Sequence, residues 1–188
     1  PKIETTHKRT FIRFGAANYA AVVWVNGEEV VRHTGGFTPF EGEITDLLKP
    51  DGNFLVVKVD DQRLKNGVPA LNTDWWNYGG ITRDVLLVQT PTTFVRDYVC
   101  QLDPENNDLI SGHVTVDGAV PGQTATLSIK ELAIEAVITL GVGESKFSMQ
   151  ASPDRWTPDS PRRYTVEFRV EADTISDRIG FRSIKTDG

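Results

Sequence analysis

The fold class is decided by residues 21–32, which read Ala21-Val22-Val23-Trp24-Val25-Asn26-Gly27-Glu28-Glu29-Val30-Val31-Arg32. Two runs rich in β-branched residues flank the Asn26-Gly27 pair. An Asn-Gly pair favours the type I′ turn of a two-residue β-hairpin, because both residues tolerate a positive φ. We therefore predict two antiparallel strands joined at residues 26–27.

Short apolar runs separated by turn residues continue after this hairpin. Residues 54–59 and 85–88 are almost entirely apolar, which predicts strands covered on both faces. A single helical turn is expected at residues 46–48, and no helix of three turns is predicted. Beyond Thr90-Pro91-Thr92-Thr93, strands are expected at residues 94–102, 112–116, 125–129, 134–140, 146–149 and 164–170.

These strands fall into two blocks that meet near Pro91. Their spacing is typical of β-sandwiches, and the second block has the size of an immunoglobulin-like domain. We therefore predict an all-β protein with one domain at residues 1–91 and another at residues 92–188.

Composition and charge exclude several function classes. Hydrophobic residues make up 39% of the 188 residues, enough for a buried core. Acidic residues outnumber basic ones by 26 to 20, and the net charge of −6 argues against a nucleic-acid or anionic-membrane partner. No apolar run approaches the ~20 residues that span a bilayer. The single cysteine, Cys100, excludes an internal disulfide and a cysteine-based zinc site.

The sequence contains no common catalytic or cofactor motif. GxSxG, HExxH and Walker A sequences are absent, and Gly141-Val142-Gly143 fits a hairpin turn. His7, His33 and His113 lack metal-ligand spacing. Residues 103–108 supply several oxygen atoms, so calcium is an alternative there, but a solvated turn is favoured because the distal glutamate of an EF-hand loop is missing. We predict no cofactor and no metal.

Residues 72–85 contain the pattern that suggests a binding site. Trp75, Trp76 and Tyr78 follow the carboxylate of Asp74. Aromatic faces pack on the C–H face of a pyranose, while carboxylates and amides hydrogen-bond to vicinal hydroxyls. This composition fits a sugar site and fits core aromatic residues beneath a loop equally well.

The end of the same segment has features of a tight bend. Gly79-Gly80 permits the bend before the next strand. Arg83 and Asp84 are expected to form an ion pair that holds the bend. Because a surface ion pair contributes only about 0–1 kcal/mol, we interpret both residues as structural.

At this segment the sequence resembles glycoside hydrolase family 2, which includes the β-galactosidases, β-glucuronidases and β-mannosidases. Residues 74–85 are similar to the end of the family's N-terminal sugar-binding domain, and the Asn77-Tyr78-Gly79-Gly80 form is closer to the β-glucuronidase branch. Further matches follow the family order at residues 14–27, 33–40, 156–161 with Tyr164, and 179–184.

The resemblance implies a galactose-binding-like jelly-roll sandwich, incomplete at its N-terminus, followed by an immunoglobulin-like β-sandwich that leads to a catalytic barrel. In the family, the barrel holds both glutamates of a retaining mechanism. Neither is matched in this chain, so the resemblance implies no catalytic residue here and an inactive chain.

The resemblance also implies roles for individual residues. An aspartate at the position of Asp74 reaches the barrel's active site in related enzymes, so Asp74 is the expected sugar contact and Trp75 is expected to line the site beside it. The expected structural residues of the family motifs are Asn77, Tyr78, Gly80, Arg83, Asp84 and Trp156.

Three functions remain open at this stage. The chain, which starts at Pro1 and stops at Gly188, is expected to be an excerpt of an exo-glycosidase whose partners are a terminal β-linked sugar and its own barrel. Alternatively, it is a stand-alone carbohydrate-binding module or a structural pair of β-domains. A homo-oligomer is left open. The absence of an Asn-x-Ser/Thr sequon is consistent with a bacterial protein of the cytoplasm or periplasm.

Overall fold

The computed structural model describes residues 8–62, 64–68, 70, 71, 74, 76 and 78–183. The chain divides into two compact units, Pro1–Thr90 and Pro91–Gly188. Within the described ranges the regular structure consists of strands and two short 3₁₀ turns, so the predicted all-β class is confirmed. In these same ranges, no helix has the length and hydropathy needed to cross a membrane.

The first unit is a sandwich of two small sheets with a two-stranded ribbon beside them. One sheet has the order β5-β1-β8, the other has the order β4-β3-β6, and the ribbon is β2-β7. The bounds are β1 (Lys8–Phe14), β2 (Ala17–Asn18), β3 (Ala20–Val25), β4 (Glu28–Thr34), β5 (Phe40–Glu43), β6 (Leu55–Asp60), β7 (Gly80–Ile81) and β8 (Val85–Pro91). A 3₁₀ turn at Thr45–Leu47 overlaps the predicted helical turn.

The predicted hairpin is present between β3 and β4. Val25 pairs with Glu28 across the two-residue loop, and Asn26 and Gly27 have φ angles of 54° and 94°. These are the positive φ values that a type I′ turn requires.

The core of the first unit lies between its two sheets. Phe14 and Phe40 pair across β1 and β5, and their rings stack with centroids 5.0 Å apart. The buried residues of this core are Ile12, Phe14, Ala17, Ala21, Val23, Val25, Phe40 and Ile44. Alternate residues of β3 contribute to it, as expected for a strand with one face on a core.

The prediction that residues 54–59 and 85–88 are covered on both faces is wrong. Phe54 and Val56 are 52% and 49% exposed, and Leu86 is 52% exposed. The reason is their position, because β6 and β8 are the outer strands of their sheets in the described part of the chain. Each strand therefore presents apolar side chains to solvent and has one edge that pairs with no other described strand.

The second unit is a sandwich of a three-stranded and a four-stranded sheet, in the orders β13-β10-β9 and β12-β11-β14-β15. The bounds are β9 (Phe94–Leu102), β10 (Leu109–Asp117), β11 (Thr124–Ile129), β12 (Ile134–Thr139), β13 (Glu144–Gln150), β14 (Tyr164–Val170) and β15 (Asp173–Ile179). A 3₁₀ turn spans Lys130–Leu132. Among the described residues of this unit, seven antiparallel strands in two layers form the expected immunoglobulin-like sandwich.

Side chains of β15 connect the two sheets of this unit. Asp173 accepts a 2.9 Å hydrogen bond from the backbone N–H of Val95, and Asp177 accepts one from the Tyr98 hydroxyl. Both donors lie on β9, which belongs to the opposite sheet. Fully buried residues such as Ile110, Leu127 and Phe168 fill the space between the layers.

Candidate functional site

The segment that follows β6 is attached to the ribbon of β2 and β7. Asn18 pairs with Gly80 across the ribbon, and its side-chain Nδ2 donates a 2.7 Å hydrogen bond to the carbonyl oxygen of Tyr78. Asn18 is only 5% exposed whereas Tyr78 lies at the surface, so this hydrogen bond is partly buried. Gly80 has a φ of 106°, which a residue with a Cβ rarely adopts. We call residues 72–80, which include Trp75, Trp76 and Tyr78, the aromatic segment. The ribbon thus fixes its C-terminal end.

Gly79 allows the chain to pass close to the end of β6. A Cβ atom at this position would lie 2.4 Å from the side chain of Asp61. Any larger residue would therefore displace either Asp61 or the segment. The two glycines together define the path of the chain from the aromatic residues into β7.

A surface pocket of about 290 Å³ lies beside this segment. Trp76 and Tyr78 are 83% and 75% exposed, and Phe37 on the opposing loop is 54% exposed. The described lining residues are Asn18, Gly36, Phe37, Trp76, Tyr78, Thr82 and Arg83. Of the two interpretations left open by the sequence, the core interpretation is wrong for Trp76 and Tyr78, because both side chains lie at the surface.

Arg83 is hydrogen-bonded to the loop between β4 and β5, which contains Phe37, and is not paired with its neighbour Asp84. Its Nη1 donates a 3.1 Å hydrogen bond to the carbonyl oxygen of Phe37. Asp84 contributes its backbone carbonyl, which accepts a 2.9 Å bond from the N–H of Gly15. Between these two described side chains no ion pair forms, so the predicted Arg83–Asp84 pair is wrong: the guanidinium is directed towards the loop of Phe37.

The other predicted site residues are placed as follows. Asp74 is exposed to solvent and is not among the lining residues of the pocket. Trp75 and Asn77 lie outside the residues that the structure describes. Trp156, in the second unit, lies against Gly180 and beneath the guanidinium of Arg182, 5.3 Å from the ring centroid.

In the oxygen-rich turn at residues 103–108, side-chain oxygen atoms accept hydrogen bonds from backbone N–H groups of the same turn. The carboxylate of Asp103 accepts hydrogen bonds from the N–H groups of Glu105 and Asn106, at 3.0 and 3.1 Å. These bonds lower the pKa of Asp103. In the part of the chain that the structure describes, no group of three or more His, Cys, Asp or Glu side chains is arranged to hold a metal ion.

The histidines have structural surroundings where they are described. His33 stacks on Phe40 with centroids 4.4 Å apart, and its Nε2 lies 3.0 Å from the carbonyl oxygen of Gly35. His113 Nε2 lies 3.7 Å from the carboxylate of Glu144. His7 lies outside the described residues.

Sequence reasoning did not assign Asn18 or Phe37 to the site. The hydrogen bond of Asn18 reaches Tyr78 across 60 positions, and Phe37 meets Arg83 across 46. The available signal was a polar residue at Asn18 between the small apolar residues of Ala16-Ala17 and Ala20-Ala21.

Comparison with known proteins gives two matching family models. The model for the sugar binding domain of glycosyl hydrolases family 2 matches residues 1–91, and a second model of glycosyl hydrolases family 2 matches residues 93–182. These matches confirm the family to which the sequence motifs pointed.

Two relatives match this chain in sequence, and a solved structure matches it in fold. A β-glucuronidase from Felis catus is 29% identical over 202 residues, covering 91% of this chain and 30% of the relative. A β-galactosidase from Arthrobacter sp. is 29% identical, covering 98% of this chain and 18% of the relative. The structure of a Bifidobacterium dentium β-glucuronidase covers the whole chain with a TM-score of 0.81 at 23% identity, and the matched part is 38% of that protein.

The chain therefore spans roughly a fifth to two fifths of the length of these proteins. Its first unit coincides with the sugar-binding model, and its second unit coincides with the model that follows. With family models matching both units, this chain belongs to glycosyl hydrolase family 2 and carries the family's sugar-binding domain.

Proposed function

We propose that this chain is the non-catalytic sugar-binding and immunoglobulin-like portion of a retaining exo-glycosidase of the β-glucuronidase or β-galactosidase type. Family membership and relatives with these two names support the proposal. Its domains are residues 1–91, a partial jelly roll, and residues 92–188, an immunoglobulin-like sandwich leading to a barrel. The division into units at Thr90 and Pro91 is consistent with these bounds.

The chemistry of such an enzyme assigns this chain a positioning role. A retaining glycosidase uses two carboxyl groups ~5–5.5 Å apart, one as nucleophile and one as acid and base. We place both in the barrel of the parent polypeptide and expect this chain alone to be inactive. Its partners are then a terminal β-linked sugar and the barrel itself.

The observation that carries the proposal is the placement of Asp74. Asp74 is exposed, and four positions further on Tyr78 accepts the hydrogen bond from Asn18 and leads into the β2–β7 ribbon. An exposed carboxylate can accept paired hydrogen bonds from vicinal sugar hydroxyls. We propose Asp74 as a substrate contact in the parent enzyme, with Trp75 beside it.

The test is the Asp74→Asn variant of a full-length family 2 polypeptide that contains this chain. A hydrogen bond to a charged group contributes about 1.5–3 kcal/mol, so kcat/KM is expected to fall by about tenfold or more. The matched control is Asp51→Asn, since Asp51 is an exposed carboxylate in the turn before β6. Wild-type kinetics for Asp74→Asn, with the control also unchanged, would show that Asp74 is not a substrate contact.

A stand-alone carbohydrate-binding module is the second candidate. The exposed Trp76 and Tyr78 beside a pocket favour it, because binding modules commonly present aromatic rings to sugars. The two functions differ in whether the natural polypeptide hydrolyses glycosides. Release of nitrophenol from nitrophenyl β-glucuronide or β-galactoside by the natural full-length protein supports the exo-glycosidase, and its absence for both supports the module.

A further inference from the structure

Several arginines of the second unit gather at one end of its sandwich. Tyr164 pairs with Ile179, so the chain before β14 and the chain after β15 leave the sheet at the same end. The backbone N–H of Trp156 donates a 2.8 Å hydrogen bond to the carbonyl oxygen of Phe181, which brings the segment before β14 to this end as well. We call these arginines the arginine cluster, and its exposed members are Arg155, Arg162, Arg163, Arg178 and Arg182.

The arginine cluster differs from the other described arginines in its lack of ion pairs. Most of the others pair with carboxylates, in the pairs Arg9–Glu43, Arg13–Glu41, Arg32–Glu29, Arg96–Asp117 and Arg169–Glu167. Within the described residues, no side chain of the arginine cluster forms an ion pair or donates a hydrogen bond. Each guanidinium has five N–H donors and is always charged. The cluster therefore carries a large capacity to bind acceptors.

Carboxylates near the cluster do not use this capacity. Asp154 and Asp159 lie on the segment before β14 and form no ion pair with the cluster. Glu131 accepts a 3.0 Å hydrogen bond from the backbone N–H of Thr165. Asp103, in the turn after β9, accepts its hydrogen bonds from backbone N–H groups of that turn. The acceptors that match the cluster are thus expected outside the described residues.

Aromatic rings support two of the guanidinium groups. The guanidinium of Arg182 lies 5.3 Å from the ring centroid of Trp156, and that of Arg162 lies 5.3 Å from the ring centroid of Tyr164. Tyr164 is only 2% exposed. Trp156 packs against Gly180, where a Cβ atom would lie 2.7 Å from the indole ring. Because both rings are fixed, these two cations are already oriented before a partner binds.

This composition fits a contact with an acidic protein surface. Arginine, tryptophan and tyrosine are enriched in protein–protein interfaces and supply much of their binding energy. A guanidinium pairs with a carboxylate through two parallel hydrogen bonds. A long polyanion such as a nucleic acid is disfavoured, because the net charge of −6 repels it. The chemistry that matches the cluster is therefore a set of Asp and Glu carboxylates on a protein.

The path of the chain identifies which protein surface this is. Phe181, Arg182 and Ser183 carry the polypeptide away from β15 within the arginine cluster. In the proposed function, the catalytic barrel follows this chain in the same polypeptide, so it is tethered beside the cluster. A tethered surface has a high effective concentration, and individually weak ion pairs then suffice to hold it.

We propose that the arginine cluster is a docking surface for an acidic face of the domain that follows in the parent polypeptide. The inference rests on the proposed function, since it needs that following domain. It deepens the proposed function, because it assigns the residues of the contact and its chemistry. Ion pairs hold this contact, so salt weakens it.

Hydrogen exchange measured by mass spectrometry compares the 188-residue chain with the full-length polypeptide. Backbone amides at residues 154–163 and 180–183 are expected to exchange at least about tenfold more slowly in the full-length protein. The turn at residues 118–123 lies at the other end of the sandwich, since β11 starts there and its last residue, Ile129, pairs with Val166 near the cluster. This turn is the internal reference and is expected to exchange equally in both proteins. Raising NaCl to roughly 1 M shortens the Debye length to ~3 Å and is expected to reduce the protection.

Neutral variants of the full-length polypeptide test the arginines directly. The double variant Arg155→Gln with Arg163→Gln is expected to remove most of the protection, because it deletes two charges of the contact. Arg169→Gln is the matched control, since Arg169 is exposed on β14 and pairs with Glu167. It is expected to keep the protection. Unchanged protection in the double variant, or protection that does not respond to salt, would overturn the proposal.

Hydrolysis of nitrophenyl glycosides by the full-length protein separates this inference from the proposed function. Hydrolysis without protection of residues 154–163 and 180–183 overturns the docking surface and leaves the proposed function intact. A natural polypeptide that has no domain after this chain overturns both. Hydrolysis together with salt-sensitive protection that the double variant loses supports both.

Discussion

The side-chain amide of Asn18 and the backbone carbonyl of Tyr78 are joined by a 2.7 Å hydrogen bond that spans 60 residues of sequence. Asn18 lies on β2, directly before the hairpin strands, and Tyr78 belongs to the aromatic segment. Asn18 is almost completely buried, and its hydrogen bond to Tyr78 is partly buried. Through this contact, the chain at Tyr78 is attached to β2 of the first unit.

Removing this amide is expected to destabilise the first unit and loosen the segment. Asn18→Ala removes the hydrogen bond to the Tyr78 carbonyl, and an intramolecular hydrogen bond contributes a net of about 0.5–1.5 kcal/mol. The free energy of unfolding in urea measures the loss. Limited proteolysis after residue 60 is expected to become faster, because the segment loses one of its attachments.

Asn66→Ala is the matched control for this variant, since Asn66 is exposed in the turn before the aromatic segment. It is expected to keep the stability of the unchanged chain. Equal stabilities and equal proteolysis rates for the two variants would contradict a supporting role for the Asn18–Tyr78 bond.

The hydroxyl of Tyr98 and the carboxylate of Asp177 form the corresponding contact in the second unit, with a 2.5 Å hydrogen bond between its two sheets. Tyr98→Phe removes only the hydroxyl, while the ring can still pack 4.7 Å from that of Phe168. Because the bond is partly exposed, we expect a loss of about 1 kcal/mol in the free energy of unfolding. A double-mutant cycle with Asp177→Asn measures the coupling, and additive effects would show that the two groups do not interact.

The same contact predicts a dependence on alkaline pH. Burial raises the pKa of Tyr98, and the hydrogen bond to Asp177 and its negative charge raise it further. Above the ordinary tyrosine pKa of about 10, the unfolded chain loses this proton while the folded chain keeps it, so the stability that Tyr98 contributes is lost as pH rises. The stability difference between the unchanged chain and Tyr98→Phe is therefore expected to be constant below this pH and to shrink above it. A difference that grew with pH would contradict the assignment.

The sequence was sufficient to predict those elements whose pattern lies within a few neighbouring residues. The Asn26-Gly27 pair specifies its own turn, and the run from Tyr164 to Val170 alternates strongly enough to define β14 within its observed bounds. β15 was not predicted because it offers only Ile175 and Ile179 among polar residues, and most of its side chains are at least partly exposed. β15 is a strand because it pairs with β14, and this pairing cannot be recognised from the sequence of residues 173–179 alone.

The candidate site likewise combines features that the sequence predicts with features that depend on contacts between distant residues. Its aromatic residues and Asp74 are evident in one segment, and the motif around them is specific enough to identify the family. The pocket itself depends on Asn18 and Phe37, which come from β2 and from the loop between β4 and β5. The exposure of Trp76 also follows from tertiary structure, since a tryptophan in sequence is as compatible with a core as with a surface.

The apolar outer strands of the first unit are expected to cause self-association of this chain. Val56 on β6 and Leu86 on β8 are each about half exposed, and both strands have a free edge in the described part of the unit. Unpaired edges with apolar side chains favour strand-to-strand pairing between molecules, whereas a lysine on an edge opposes it. We therefore expect Val56→Lys and Leu86→Lys to reduce association without lowering the stability of the fold.

Sedimentation velocity over a series of protein concentrations measures this effect. Val142→Lys is the matched control, because Val142 is 96% exposed in the turn before β13 and the substitution adds the same charge. If the control reduced association as much as the edge variants, net charge would be the cause. Reduced association in the edge variants alone would place the self-associating surface at β6 and β8, the strands whose apolar sequences predict a covering that the described residues do not provide.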